Sequence, residues 1–67
     1  MNTVEYCTTN GTTLHTVMDM PSFGTLVVPA TGDEVRLGLD VITKYRVTRV
    51  VHYPTAFRVY VYLEEMP

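Results

Sequence analysis

This 67-residue chain has a single cysteine, few charges and no long apolar run, and each scarcity excludes something. A lone Cys7 rules out an intramolecular disulfide and any multi-cysteine zinc site. With no staple and a free thiol, the chain suits a reducing interior. Charged residues make up only 18% against 46% apolar, a balance that leans towards burying surface in an oligomer or a complex. The net charge of −2 argues against a non-specific nucleic-acid binder, for which a basic chain is the expectation. No run approaches the roughly 20 apolar residues that span a bilayer, and no basic segment precedes an apolar core at the N-terminus. The expectation is a soluble, unsecreted, cytoplasmic protein with no membrane contact.

Catalytic and metal motifs are also missing. A nucleophile needs a base within hydrogen-bond reach, and the strand register of the N-terminal hairpin sends Cys7, the obvious thiol, and His15 to opposite faces. A structural thiol is the plainer reading. Asp33-Glu34 and Glu64-Glu65 are sequence neighbours, which point apart on a strand or turn and make no ready acid/base pair. His15 and His52 have no ligand partners at local spacing. The chain is therefore expected to be neither an enzyme nor the holder of a cofactor or metal, and a single small domain spanning 1–67.

What the sequence does hold is strand pattern. The stretch from Lys44 to Glu64 contains two long runs of β-branched and aromatic residues separated by Tyr53-Pro54-Thr55-Ala56, the signature of an antiparallel hairpin. In the second run Phe57, Val59, Val61 and Leu63 point one way, and Arg58, Tyr60, Tyr62 and Glu64 the other. If the inner set of the first run is Tyr45, Val47 and Val51, then Tyr53 faces Phe57 and Val51 faces Val59. On the outer side His52 faces Arg58, Val50 faces Tyr60, Thr48 faces Tyr62 and Arg46 faces Glu64. Arg49 is the misfit, an inward cation between two valines. Either a β-bulge near Thr48 turns it outward, or it lies at a rim where its guanidinium reaches water.

Upstream, Asn10-Gly11 is the strongest hairpin signal in the chain, because both residues tolerate the positive φ of a type I′ turn. A two-residue loop there pairs Cys7 with Leu14, Tyr6 with His15 and Val4 with Val17, forming an N-terminal hairpin over 1–18 that suits a sheet edge. Asp19 to Gly24 is a connection in which Phe23 is a candidate plug for the core. A short strand is expected over Thr25–Val28, a turn over Pro29–Asp33, and an alternating strand over Glu34–Leu39 with Val35, Leu37 and Leu39 inside. Val41-Ile42 caps the core as a short helical turn or remains irregular. The result is an all-β fold, a meander of hairpins with five or six antiparallel strands curled into a small, partly open barrel.

The pattern Pro29-x-x-Gly32-Asp33-x-Val35-x-Leu37, then Tyr45-x-Val47-x-x-Val50-Val51 and an alternating last strand, resembles the small SH3-like barrels over residues 24–64. These are common among short accessory proteins of bacteria and their viruses. The resemblance implies a binding scaffold, and for a viral protein the host cytoplasm, with no functional residues to carry over. The Gly- and Phe-rich basic strand of a cold-shock domain is missing, and Arg58–Leu63 does not match the RNA-recognition motif.

One constellation carries a functional expectation. Lys44, Arg46, Thr48, His52, Arg58, Tyr60 and Tyr62 share the outer face of the C-terminal hairpin. Exposed Tyr and Arg on strands are favoured in protein interfaces, where a ring buries much area at little entropic cost. The expected role is a non-enzymatic module that docks on a protein partner or on copies of itself, in the manner of a viral inhibitor or adaptor. The alternative is a nucleotide or single-stranded nucleic acid held on the same face, since cations and flat rings together bind phosphates and stack bases.

Overall fold

A computed structural model describes residues 3–18 and 28–67. Five strands, β1 (Thr3–Thr8), β2 (Thr13–Met18), β3 (Glu34–Leu37), β4 (Thr43–Tyr53) and β5 (Arg58–Glu65), form one sheet in the order β2-β1-β5-β4-β3. The sheet curls into a nearly closed barrel with one unsealed seam, an arrangement consistent with an SH3-like fold. The expected Phe23 plug and positions 25–27 of the expected strand lie outside the described residues.

The sheet is mixed. Three pairings are antiparallel, as the hairpin signals require, but β1 runs parallel to β5 with Val4 beside Val59 and Tyr6 beside Val61. A parallel neighbour cannot be reached through a tight turn, so the whole middle of the chain serves as the crossover between the first and last strands. The core sits on the concave face, where Val4, Val47, Val61 and Leu63 are buried and Tyr6, Val28, Val35, Leu37, Tyr45, Val50 and Val59 pack around them.

The β4–β5 ribbon departs from the uniform register expected of it, and the cause is Arg49. Arg46 faces Glu64 and Val47 faces Leu63 as anticipated, and then the register slips by one at Thr48. Beyond that bulge Arg49 faces Tyr62, Val50 faces Val61, Val51 faces Tyr60, His52 faces Val59 and Tyr53 faces Arg58. An unpaired guanidinium among Val47, Val61 and Leu63 would cost on the order of several kcal/mol. One extra residue turns Arg49 out and brings Val50 in against Val61, which is 0% exposed. The bulged Thr48 hydroxyl donates to the Tyr62 carbonyl at 3.2 Å. Val50 and Val51 thus exchange the sides expected of them, and His52 leaves the outer face.

The turn after β4 is longer than expected for the same reason of phase. Pro54–Ala56 form one 3₁₀ turn, and Phe57 ends it in the left-handed region at φ 54°, its N–H donating to the Pro54 carbonyl at 3.3 Å. Phe57 is consequently exposed rather than facing Tyr53 inside.

In the N-terminal hairpin Val4 faces Val17 and Tyr6 faces His15 as expected, but the loop holds three residues, not two. The Thr8 N–H donates to the Thr12 carbonyl at 2.8 Å and the Gly11 N–H to the Thr8 carbonyl at 3.0 Å, leaving Thr9, Asn10 and Gly11 between. The Asn10 carboxamide oxygen accepts from the Thr8 hydroxyl, the Thr12 hydroxyl and the Thr12 N–H, a side-chain network that competes with the tighter turn. The extra loop residue is absorbed by a register shift that pairs Cys7 with Thr13 and leaves Leu14 out of the ladder.

Between β3 and β4 the strand stops at Leu37, two residues short of expectation, and Leu39 is 97% exposed rather than inside. Val41 and Ile42 are exposed too, so they do not cap the core. Gly38 explains the early stop. Its φ is 121°, and a Cβ there would collide with the Val41 carbonyl oxygen, so the chain doubles back tightly with its aliphatic side chains outward.

Candidate functional site

The convex face of the sheet carries the site. Alternation along β4 and β5, corrected for the bulge, sends Lys44, Arg46, Arg49, Val51 and Tyr53 outward from β4, and Arg58, Tyr60, Tyr62 and Glu64 outward from β5. On the flanks Arg36 stands beside Lys44 and Glu34 beside Arg46, while Glu5 stands beside Tyr60. All five Lys and Arg residues of the chain therefore share one face. Among the described residues of the sheet they meet three carboxylates there, Glu5, Glu34 and Glu64, which leaves the described strands with two more cations than acids on this face of a chain whose net charge is −2.

Of the seven expected site residues, Lys44, Arg46, Arg58, Tyr60 and Tyr62 come together on this face. Thr48 occupies the bulge and His52 falls on the concave side opposite Val59. Arg49, Val51 and Tyr53 replace them. The signal for Arg49 is present in the sequence, because an inward arginine between valines demands a phase change.

The cations differ in how they are held. The Arg36 Nε donates to a Glu34 carboxylate oxygen at 2.6 Å, and this hydrogen bond, with the charge behind it, holds the Glu34 carboxyl below its usual range. The pair is exposed and contributes little to stability. Arg58 lies 3.3 Å from Glu5. Arg49 instead stacks on an aromatic face, its guanidinium carbon 4.5 Å from the centre of the Tyr62 ring. No ion pair joins Lys44, Arg46 or Arg49 to an acid among the described residues. Tyr53 and Tyr60 pack edge to face with centroids 5.3 Å apart, the arrangement that aromatic quadrupoles favour. A groove of about 320 Å³ lined by Thr9, Thr48, Arg49 and Tyr62 runs beside the stacked arginine.

Cys7 has the outward phase of β1, yet it is only 2% exposed, flanked by Tyr62 on β5 and Thr13 on β2. Burial pushes its thiol up, the nearby Glu5 charge adds to this, and a hydrogen bond with Thr13 opposes it. His15 lies on the concave phase beside Tyr6, ring centroids 6.3 Å apart, so Cys7 and His15 do not converge. Among the described residues no three His, Cys, Asp or Glu side chains gather at metal-binding distance, and no helix is long and apolar enough to cross a membrane. No protein-family model, no curated protein and no solved structure matches the chain.

Proposed function

We propose that the chain is a non-enzymatic interaction module whose convex sheet face docks on an acidic protein surface. The observation that carries this is the gathering of every lysine and arginine on one face of an acidic chain. Lys44, Arg46 and Arg49 lack an ion-pair partner among the described residues, so they offer charge to a partner at little internal cost. Arg49 packs on Tyr62 and Tyr53 packs against Tyr60 within the chain itself, and side chains held by such contacts lose less entropy on docking. The Tyr60 and Tyr62 rings are half-buried under these neighbours, which favours a protein contact over bases stacking on free rings. A small SH3-like barrel of this kind suits an adaptor or inhibitor working in the cytoplasm, in the manner of short accessory proteins of bacteria and their viruses.

The test is affinity capture followed by native mass measurement. Wild type should retain a partner that R46E/R49E and Y60S/Y62S lose, with all three chains giving the same far-ultraviolet circular dichroism. Retention by both variants would move the site elsewhere. Retardation of a single-stranded oligonucleotide at low salt, abolished by R46E/R49E and falling steeply as salt rises, would assign the face to nucleic acid instead.

A further inference from the structure

Arg49 is held differently from the other cations of the convex face. The Arg36 Nε is taken by Glu34, Arg58 stands 3.3 Å from Glu5, and Arg46 faces Glu34 on one side and Glu64 on the other. Lys44 carries a point charge on a flexible stem. Arg49 faces Tyr62, and the groove of about 320 Å³ beside it is lined by Thr9, Thr48, Arg49 and Tyr62. That lining holds a single charge, and it is positive. We infer, on the basis of the docking role proposed above, that Arg49 is the anchor of the face and takes a carboxylate of the partner in this groove.

The choice of ligand follows from the stacking. The Tyr62 ring, its centre 4.5 Å from the guanidinium carbon, engages the flat side of the guanidinium. The N–H donors lie in the guanidinium plane, so the ring leaves them unspent. Among the described residues the Arg49 side chain donates no hydrogen bond. Two parallel N–H groups of one fork match the two oxygens of a carboxylate, which makes a short and strong pair.

The rest of the groove agrees with a singly charged ligand. The Thr48 hydroxyl is committed to the Tyr62 carbonyl at 3.2 Å, so it walls the groove rather than donating into it. Thr9, exposed in the loop after β1, adds one hydroxyl donor. A phosphate, with roughly twice the charge and three acceptor oxygens, calls for more donors than one fork and one hydroxyl. Lys44 and Arg46, on the same face, steer an acid towards the site without belonging to it.

NMR of the arginine Nε–Hε groups in the whole chain tests this, with acetyl-Glu-Glu-Glu-amide as the probe. The Arg49 Hε should move downfield and saturate at millimolar peptide, further than that of Arg36, Arg46 or Arg58. The Gln-Gln-Gln amide should leave it in place. R49K keeps the charge and loses the fork, so its affinity for the Glu peptide should fall about fivefold or more with an unchanged circular dichroism spectrum. Movement on adding the Gln peptide with a free C-terminal carboxylate would also support the inference, with a chain end as the source. A response to inorganic phosphate and none to the Glu peptide, equal shifts at all four arginines, or full affinity in R49K would each overturn it. In affinity capture, a partner lost by R46E/R49E and kept in full by R49K would overturn the anchor and leave the docking face standing. An Arg49 that takes the Glu peptide in a chain whose capture neither face variant weakens would keep the carboxylate site and remove the docking role.

Discussion

Arg49 and Tyr62 stand directly opposite one another on β4 and β5, with the guanidinium carbon 4.5 Å from the centre of the ring. The contact exists because the strand carries one residue too many. A regular ribbon would set Thr48 against Tyr62 and drive Arg49 into the core. The bulge exchanges that burial cost for a cation lying on an aromatic face, and in the same step it supplies Val50 to the concave side.

The phase change separates two neighbouring valines. Val50 packs against the core and faces Val61, whereas Val51 faces Tyr60 on the convex side. Val50→Asp should lower stability by about 2–4 kcal/mol, since it places a charge against buried valine, while Val51→Asp should cost under about 1 kcal/mol. Urea denaturation of the two variants measures this. The reverse order would restore the uniform register.

Much of the fold was legible in the sequence, and the failures share a cause. Alternation in β5, the Arg46–Glu64 pairing and the Val4–Val17 and Tyr6–His15 register follow from local pattern, and all are present. Arg49 is recognisable as a misfit, but local pattern cannot choose between a bulge and a rim, because the deciding term is the burial of Val61 by strands far away in sequence. The same non-locality hides the parallel β1–β5 pairing. Alternation alone sends Leu39 inward, but Gly38 ends the strand before that phase reaches it. Five of the seven expected site residues share the convex face, and the two exceptions, Thr48 and His52, are those displaced by the bulge.

Two glycines at positive φ make a graded test. Gly32 has φ 96° with open space around it, so Gly32→Ala should cost about 1 kcal/mol through backbone strain alone. Gly38 adds a collision with the Val41 backbone, which cannot swing aside as a side chain can, and Gly38→Ala should cost about 2–3 kcal/mol. In a domain of this size each kcal/mol lowers Tm by roughly 4–8 °C, a difference that thermal melts of the two variants resolve.

Cys7 and Tyr6 set the alkaline limit. Burial raises both groups above their ordinary values, so the folded state favours their neutral forms. A raised folded value means this contribution is complete below the unfolded pKa and is lost as pH rises through the folded one. Stability should hold through neutral pH and decline above about pH 8.5, first through the thiol and then through the phenol. Urea midpoints across that range read the decline. Cys7→Ser should remove the thiol's share of it, and a profile unchanged by that substitution would contradict the assignment.

Solution NMR of the β4–β5 ribbon tests the bulge most directly, because the cationic face, the exchanged valines and the displaced His52 all descend from one extra residue at Thr48. With the bulge in place, Arg49 side-chain protons should be shifted upfield by the Tyr62 ring, with cross-strand contacts from Arg49 to Tyr62 and from Val50 to Val61. Unshifted Arg49 protons together with contacts from Val50 to Tyr60 and from Val51 to Val59 would contradict it.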